Sequence, residues 1–317
     1  MQLLNSYLNS YNCLVTTREQ TRAGFIEAAL AKNKKAEPYI LEAKNLKVLA
    51  SKAKNPMGLL RIKEIQNGLL TASGLSDKAT NYFNDEDKKE AILALIKNFL
   101  QPAGKGFVEE LVYRFLLIKG DSLGGSMRNY VGTIAEIKLK KMILSALNFL
   151  NIPYQILLKS DKSANRWKTF SYNDSIELAE NICAIYWYKR NDRLLFFNAN
   201  VPLVNKNVDL CLYEGNTEAF DSGRIVSQTE KAVMLGELKG GVDPAGADEH
   251  WKTANSALGR IRTAFKNNIQ TSFVAAAIEN NMAKEIYQQL LAGTLTNAAN
   301  MTDENQLTSF CQWLINI

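Results

Sequence analysis

The feature that most constrains how this chain can fold is a change of periodicity at Pro153. Ahead of it, apolar residues recur at helical spacing and β-branched runs are few. Thr17-Arg18-Glu19-Gln20 has the form of a capping box, and Phe25, Ile26, Ala28 and Ala29 follow it at helical spacing. Helical patterns recur around residues 36–51, 57–71 and 85–100, with Pro56 and Pro102 as breaks, and again over 107–118. Residues 120–129 hold three glycines and read as an elbow, from which a further helix over about 127–150 departs.

Behind Pro153 the texture is different. Residues 154–158, 182–188, 194–197, 208–213 and 232–239 are short apolar runs bounded by polar breaks, and they read as strands. A helical pattern over about 247–265, another strand over 272–278 and two C-terminal helices complete the chain. Helix, several strands, helix and strand predict an α/β layered core, a central mixed sheet flanked by helices. The expected organisation is a mostly helical subdomain over 1–125 and an α/β domain over 126–317.

Composition removes several classes of function. Four cysteines (Cys13, Cys183, Cys211, Cys311) form no C-x-x-C pair, and His250 is the only histidine. A zinc enzyme with two histidine ligands is therefore excluded, and a disulfide framework is not expected. The N-terminus has neither a basic region nor a long apolar run, and no stretch reaches membrane-spanning length. A soluble, cytoplasmic protein is expected, with no membrane partner. The formal net charge of +6 permits a polyanionic partner without demanding one.

Chemistry concentrates in two of the expected strands. Asp209 lies within the run 208–213, and Glu237 and Lys239 lie within the run 232–239. Strand periodicity puts Glu237 and Lys239 on one face, with Leu238 pointing into the opposite layer. If the two strands pair, Asp209 comes beside Glu237. Two carboxylates, a main-chain carbonyl such as that of Leu238, and waters can bind Mg²⁺, which takes few protein ligands. The ammonium of Lys239 can hold an attacking water and offset charge on a phosphorane. The same residues also fit a surface ion pair on a strand, because Asp followed later by E-x-K arises often by chance. Two acidic positions inside apolar runs favour a metal or a partner, since a lone buried charge is costly.

These residues resemble the PD-(D/E)XK nuclease signature, with Val208 where proline is usual. The sixteen residues GELKGGVDPAGADEHW over 236–251, with GDSLGGSMRN upstream, resemble the AvaI/BsoBI family of type II restriction endonucleases. That resemblance implies a PD-(D/E)XK core and Mg²⁺-dependent, site-specific hydrolysis of double-stranded DNA that leaves 5′-phosphates. It also implies a homodimer surrounding the duplex, the palindrome C-Y-C-G-R-G, and a cognate methyltransferase in a prokaryotic host. Asp209, Glu237 and Lys239 become the metal and catalytic residues, with His250 acting on the nucleophilic water. A repair or junction-resolving nuclease and a non-catalytic DNA-binding protein are the alternatives.

Further residues have two readings each. Asp243, before Pro244, suits a turn, and equally a carboxylate accepting from cytosine N4 in the major groove. Lys206 and Lys78 are candidates for a guanine edge or a phosphate, against a solvated charge. Arg128, with Gly124 and Gly125 at an expected helix start, could contact the DNA backbone through the free N–H groups there. The Gly-Lys-Ser/Thr ending of a nucleotide-binding loop is missing from that segment. Glu136 could add an acidic group near the metal site, or sit on a solvated face.

Overall fold

The computed structural model describes residues 3–218, 225–266 and 268–317, and within these the side chains of Asp77, Arg128 and Asn129 are outside the description. Its helices of eight or more residues are α1 (Arg18–Ala50), α4 (Asp85–Leu95), α5 (Phe107–Phe149), α7 (Ala247–Ala264), α8 (Asn280–Leu291) and α9 (Glu304–Asn316). Shorter ones are α2 (Gln66–Ala72), α3 (Asp77–Thr80) and α6 (Tyr172–Glu177). The strands are β1 (Tyr154–Leu158), β2 (Trp167–Lys168), β3 (Ile182–Tyr188), β4 (Asp192–Val201), β5 (Lys206–Glu214), β6 (Ala232–Lys239), β7 (Gln270–Ala275) and β8 (Asn297–Asn300). Among the described residues no helix is long and apolar enough to cross a membrane.

The chain divides into two compact units, residues 26–130 and residues 1–25 with 131–317. The first holds helices joined by short turns, with no strand among its described residues. Its core gathers Ala43, Leu46 and Ala50 of α1, Leu69 of α2, Ile92 and Leu95 of α4, and Leu111 and Phe115 of α5. The start of α4 is held by a reciprocal cap between Asn84 and Asp87. The start of α1 is closed by the expected box: Thr17 Oγ1 accepts from the Gln20 N–H at 3.2 Å, and Gln20 Oε1 from the Thr17 N–H at 2.8 Å.

The second unit carries an eight-stranded sheet in the order β2-β1-β3-β4-β5-β6-β7-β8. Neighbours are antiparallel from β2 to β6 and parallel across β6–β7 and β7–β8, so the sheet is mixed as expected. Alternation along the strands fills two cores. On one face Leu194, Cys211, Leu235 and Phe273 pack with Trp251, Leu258 and Ile261 of α7 and with Ile286 of α8. On the other, Leu195, Leu212, Met234 and Val274 pack with Leu139 and Ile143 of α5 and with Phe310 and Leu314 of α9. Helices thus cover both faces, the arrangement a sheet with apolar residues on both sides requires.

Two expectations fail, the elbow over 120–129 and the helix start at Gly124. Residues 120–129 form no elbow: they lie inside α5, a single helix of 43 residues. The expected boundary at residue 125 falls within it. A Cβ built on Gly120, Gly124 or Gly125 would meet nothing within 4 Å, and none of the three has a positive φ. Glycine permits a break but does not impose one, and helix-compatible sequence on either side carries the helix through. No helix begins at Gly124 either, so the free backbone N–H groups expected to hold a phosphate there do not exist. Strand β8, Asn-Ala-Ala-Asn, went unread because it carries none of the β-branched or aromatic residues that mark strands.

Gly240, just past β6, is a glycine that the packing does require. A Cβ there would lie 2.5 Å from Ala135 Cβ, 2.9 Å from the Val131 carbonyl oxygen and 3.0 Å from Gly132 Cα. The strand end therefore rests directly on the backbone of α5. Gly240→Ala is expected to destabilise the fold by about 1–3 kcal/mol, whereas Gly124→Ala is expected to stabilise it by about 0.5–1 kcal/mol. Urea-unfolding midpoints at unchanged slope measure both, and a destabilising Gly124→Ala would restore the elbow.

Candidate active site

Register brings the two chemically marked strands together. β5 and β6 pair antiparallel through Leu210↔Gly236, Cys211↔Leu235 and Leu212↔Met234. One step beyond the first of these pairs lie Asp209 and Glu237. The alternation of β5 breaks here: Val208 and Leu210 sit two residues apart, yet they belong to opposite cores. Across the ladder β4 is irregular too, with Asn198 at φ 50° between the pairs Phe197↔Leu210 and Ala199↔Val208. Asparagine is one of the few side chains that tolerates this backbone.

Lys239 joins the two carboxylates. Its Nζ lies 2.7 Å from Glu237 Oε2 and 3.3 Å from Asp209 Oδ2. The Leu238 N–H donates to Asp209 Oδ2 at 2.8 Å, while the Leu238 side chain packs into the α5 side of the sheet as expected. That hydrogen bond ties Asp209 to β6. Glu237 is buried at 5% exposure, and Asp209 and Lys239 are part-buried.

Electrostatics set the character of the trio. Burial pushes the Glu237 carboxyl up to about 7, the Asp209 charge adds to the rise, and Lys239 and Arg260 oppose it. Burial pulls Lys239 down, but the charges of Asp209 and Glu237 outweigh that and hold it above the usual lysine range. One ammonium thus faces two carboxylates. Among the described residues no group of three or more His, Cys, Asp and Glu could hold a metal ion. A cation bound here would have Asp209 and Glu237 as its side-chain ligands and would fill the rest of its shell from main-chain oxygens, such as Leu238 C=O, and water. That donor set suits Mg²⁺.

The remaining expected residues fall at different places. His250 lies in the first turn of α7, its Nε2 3.1 Å from where a Cβ on Gly241 would be and 3.5 Å from one on Gly246. It therefore rests on glycine backbone two residues past Lys239, and among the described residues no hydrogen bond links it to the trio. Asp243 accepts from the Ala245 N–H at 3.0 Å and caps a short 3₁₀ turn, which is the turn-forming reading. Lys206 is exposed at the start of β5, and Lys78 is exposed in α3 of the helical unit. Arg128 falls inside α5, with its side chain outside the described residues. Glu136 pairs with the buried Lys140, which also donates to the Ile182 carbonyl at 2.6 Å, so its charge has a partner of its own. Arg260 went unread; the signal available for it was its spacing from His250.

Comparison with known proteins extends over nearly the full chain. Residues 4–317 match the family of restriction endonuclease BsobI. The chain is 50% identical over 316 residues to the type II restriction enzyme BsoBI of Geobacillus stearothermophilus, covering 98% of both chains. It is 46% identical over 315 residues to the type II restriction enzyme AvaI, both from Nostoc sp. and from Anabaena variabilis, again over 98% of each chain.

The state of Glu237 generates a prediction for protein stripped of divalent ions. Its folded carboxyl binds a proton up to about pH 7, against an ordinary value of 4.5. Between those limits the folded state holds more protons than the unfolded state, so this group's contribution to stability is lost as pH rises through 7. Glu237→Gln is expected to remove that part of the slope and to be the more stable form at pH 8. Denaturation midpoints at pH 5.5 and pH 8 check it; parallel pH profiles for the two proteins would refute the buried-carboxylate account.

Proposed function

Because the chain belongs to the restriction endonuclease BsobI family, we propose that Asp209, Glu237 and Lys239 are its DNA-cutting centre and that Mg²⁺ serves there. The chain is a type II restriction endonuclease, and so a site-specific DNA hydrolase. The observation that carries the assignment of the centre is Lys239 held between Asp209 and a buried Glu237. No structural need explains it: removing water from a carboxylate and leaving it a shared counter-ion weakens a fold.

Each residue has a task. Asp209 and Glu237 hold the cation, fixed in place by the Leu238 N–H and by the burial of β6. Mg²⁺ there supplies Lewis acidity toward the phosphoryl oxygen. Lys239, with three donors, orients the attacking water and offsets charge that develops on the phosphorane. His250, on its glycine seat two residues past Lys239, accepts the proton that the water gives up. The product ends are a 5′-phosphate and a 3′-hydroxyl.

The finer assignments are proposals with separate supports. The PD-(D/E)XK core is supported by a mixed sheet carrying Asp and E-x-K on adjacent strands. Recognition of C-Y-C-G-R-G is supported by the 236–251 segment and by identities near one half. A palindrome mirrors two-fold symmetry, which supports a homodimer. Asp243, Lys206 and Lys78 remain the candidates for reading bases, and Asp243 has one carboxylate oxygen free of its turn. A cognate methyltransferase in the same prokaryotic cytoplasm follows from the need to protect host DNA.

Digestion of a plasmid of known sequence with Mg²⁺, followed by sequencing of the fragment ends, tests the reading. Discrete fragments with C-Y-C-G-R-G ends are expected; random nicking would sink the site, and absence of cleavage the centre. Lys239→Ala is expected to slow single-turnover cleavage by about 10²–10³-fold, with binding of uncut duplex retained. His250→Ala is expected to slow it by about 10²–10⁴-fold with little change in affinity. An equal loss of affinity would make His250 a binding residue instead.

A further inference from the structure

Helix α7 has three sides; burial fixes one and hydrogen bonds to α8 and the segment just beyond it fix another. Ala247, Trp251, Ala254, Leu258 and Ile261 are buried on the sheet. At 3.6 residues per turn, Asn255 and Arg262 lie on one flank of that stripe. Asn255 accepts from Gln289 of α8 at 3.0 Å, and Arg262 donates to the Thr294 carbonyl just beyond α8 at 3.2 Å. That flank therefore looks across β7 toward β8. The opposite flank looks toward β6 and β5, where Asp209 and Glu237 lie. His250 and Ala257 occupy it, about 60–80° from the centre of the buried stripe, and Thr253 and Arg260 lie at its solvent edge, about 120–140° from that centre.

Arg260 stands out on this flank. It is exposed, and among the described residues it has no hydrogen bond or ion pair. Helix α7 runs back along β6, because β7 restarts beside Met234. His250 thus sits at the Lys239 end of the strand, and Arg260 is about 15 Å further along the helix. The guanidinium charge still reaches Glu237.

We propose that Arg260 is a phosphate-holding residue of the active-site wall, gripping the backbone of the strand to be cut beside the scissile bond. The proposal rests on the reading of Asp209, Glu237 and Lys239 as the nuclease centre. An unpaired guanidinium presents a planar fork of donors that matches a phosphate bidentately. Facing a centre with more carboxylate than cation, it also lowers the cost of bringing in a polyanion. His250 and Arg260 then meet one DNA strand at two separate points along α7, which fixes its direction past the carboxylates. The guanidinium transfers no proton and makes no covalent bond; it positions.

The test compares wild type with Arg260→Gln, Arg260→Lys and the control Lys252→Gln, which lies as far from the buried stripe but on the α8 side of the same helix, near Glu285. Lys252 is exposed and paired with Asp248, so its loss changes net charge equally but removes nothing from the wall. Single-turnover cleavage by Arg260→Gln is expected to fall by roughly ten- to a hundredfold, with partial recovery in Arg260→Lys and no change in Lys252→Gln. The slope of log affinity against log salt is expected to fall by about one phosphate contact in Arg260→Gln. A scan with one neutral methylphosphonate at each position of the cut strand locates the contact. At one phosphate, substitution slows wild type but has no further effect on Arg260→Gln. If wild type cuts with Mg²⁺ while Arg260→Gln matches it in rate, salt slope and methylphosphonate pattern, the proposal is wrong and the centre stands. If wild type itself does not cut, the centre is wrong. Equal losses in Arg260→Gln and Lys252→Gln would also overturn the proposal, because only bulk charge would then be at work.

Discussion

A single ammonium, that of Lys239, answers two carboxylates, one of which is buried. Much of the sheet unit is arranged around keeping that shortage of positive charge in place. Glu237 can be buried because β6 is an inner strand, paired with β5 on one side and with β7 on the other. Asp209 can be held against it because β5 departs from regular alternation at that position and takes the Leu238 N–H as a tether. The end of β6 can deliver Lys239 because Gly240 lets the chain lie directly on α5. Of these features, the buried Glu237 and the irregular course of β5 weaken the sheet locally, and both fit the cation and phosphate proposed for the same place.

The parts of this arrangement visible in the sequence were those that depend on neighbours along the chain. Apolar runs marked the strands that became β1, β3 and β6 with their boundaries, and the two-residue period put Glu237 and Lys239 together with Leu238 on the other side. The capping box at Thr17 was legible for the same reason. What failed depended on distant context. The glycines at 124 and 125 looked like an elbow because glycine propensity is local, whereas the continuity of α5 is decided over more than forty residues. Strand β8 was invisible because its Asn and Ala residues are acceptable only between two helical layers, where small side chains fit. Arg260 was within reach of a helical count from His250. Knowing which flank of α7 faces the carboxylates required Gln289 and Thr294, residues supplied by elements further on.

That asymmetry separates two arginines only two residues apart. Arg262 has a carbonyl for its guanidinium and lies on the flank tied to α8, so its role is accounted for within the fold. Arg260 has no such partner and lies on the flank turned toward a centre that is short of positive charge. A duplex brings further negative charge to that centre, and the formal net charge of +6 is too diffuse to compensate at one point, because screening limits surface charges to about 10 Å or less. Compensation has to be local. In the proposed reading a divalent cation between Asp209 and Glu237 would supply part of it, Lys239 another part, and the guanidinium of Arg260 would supply the rest without adding to the burial cost that Glu237 already imposes.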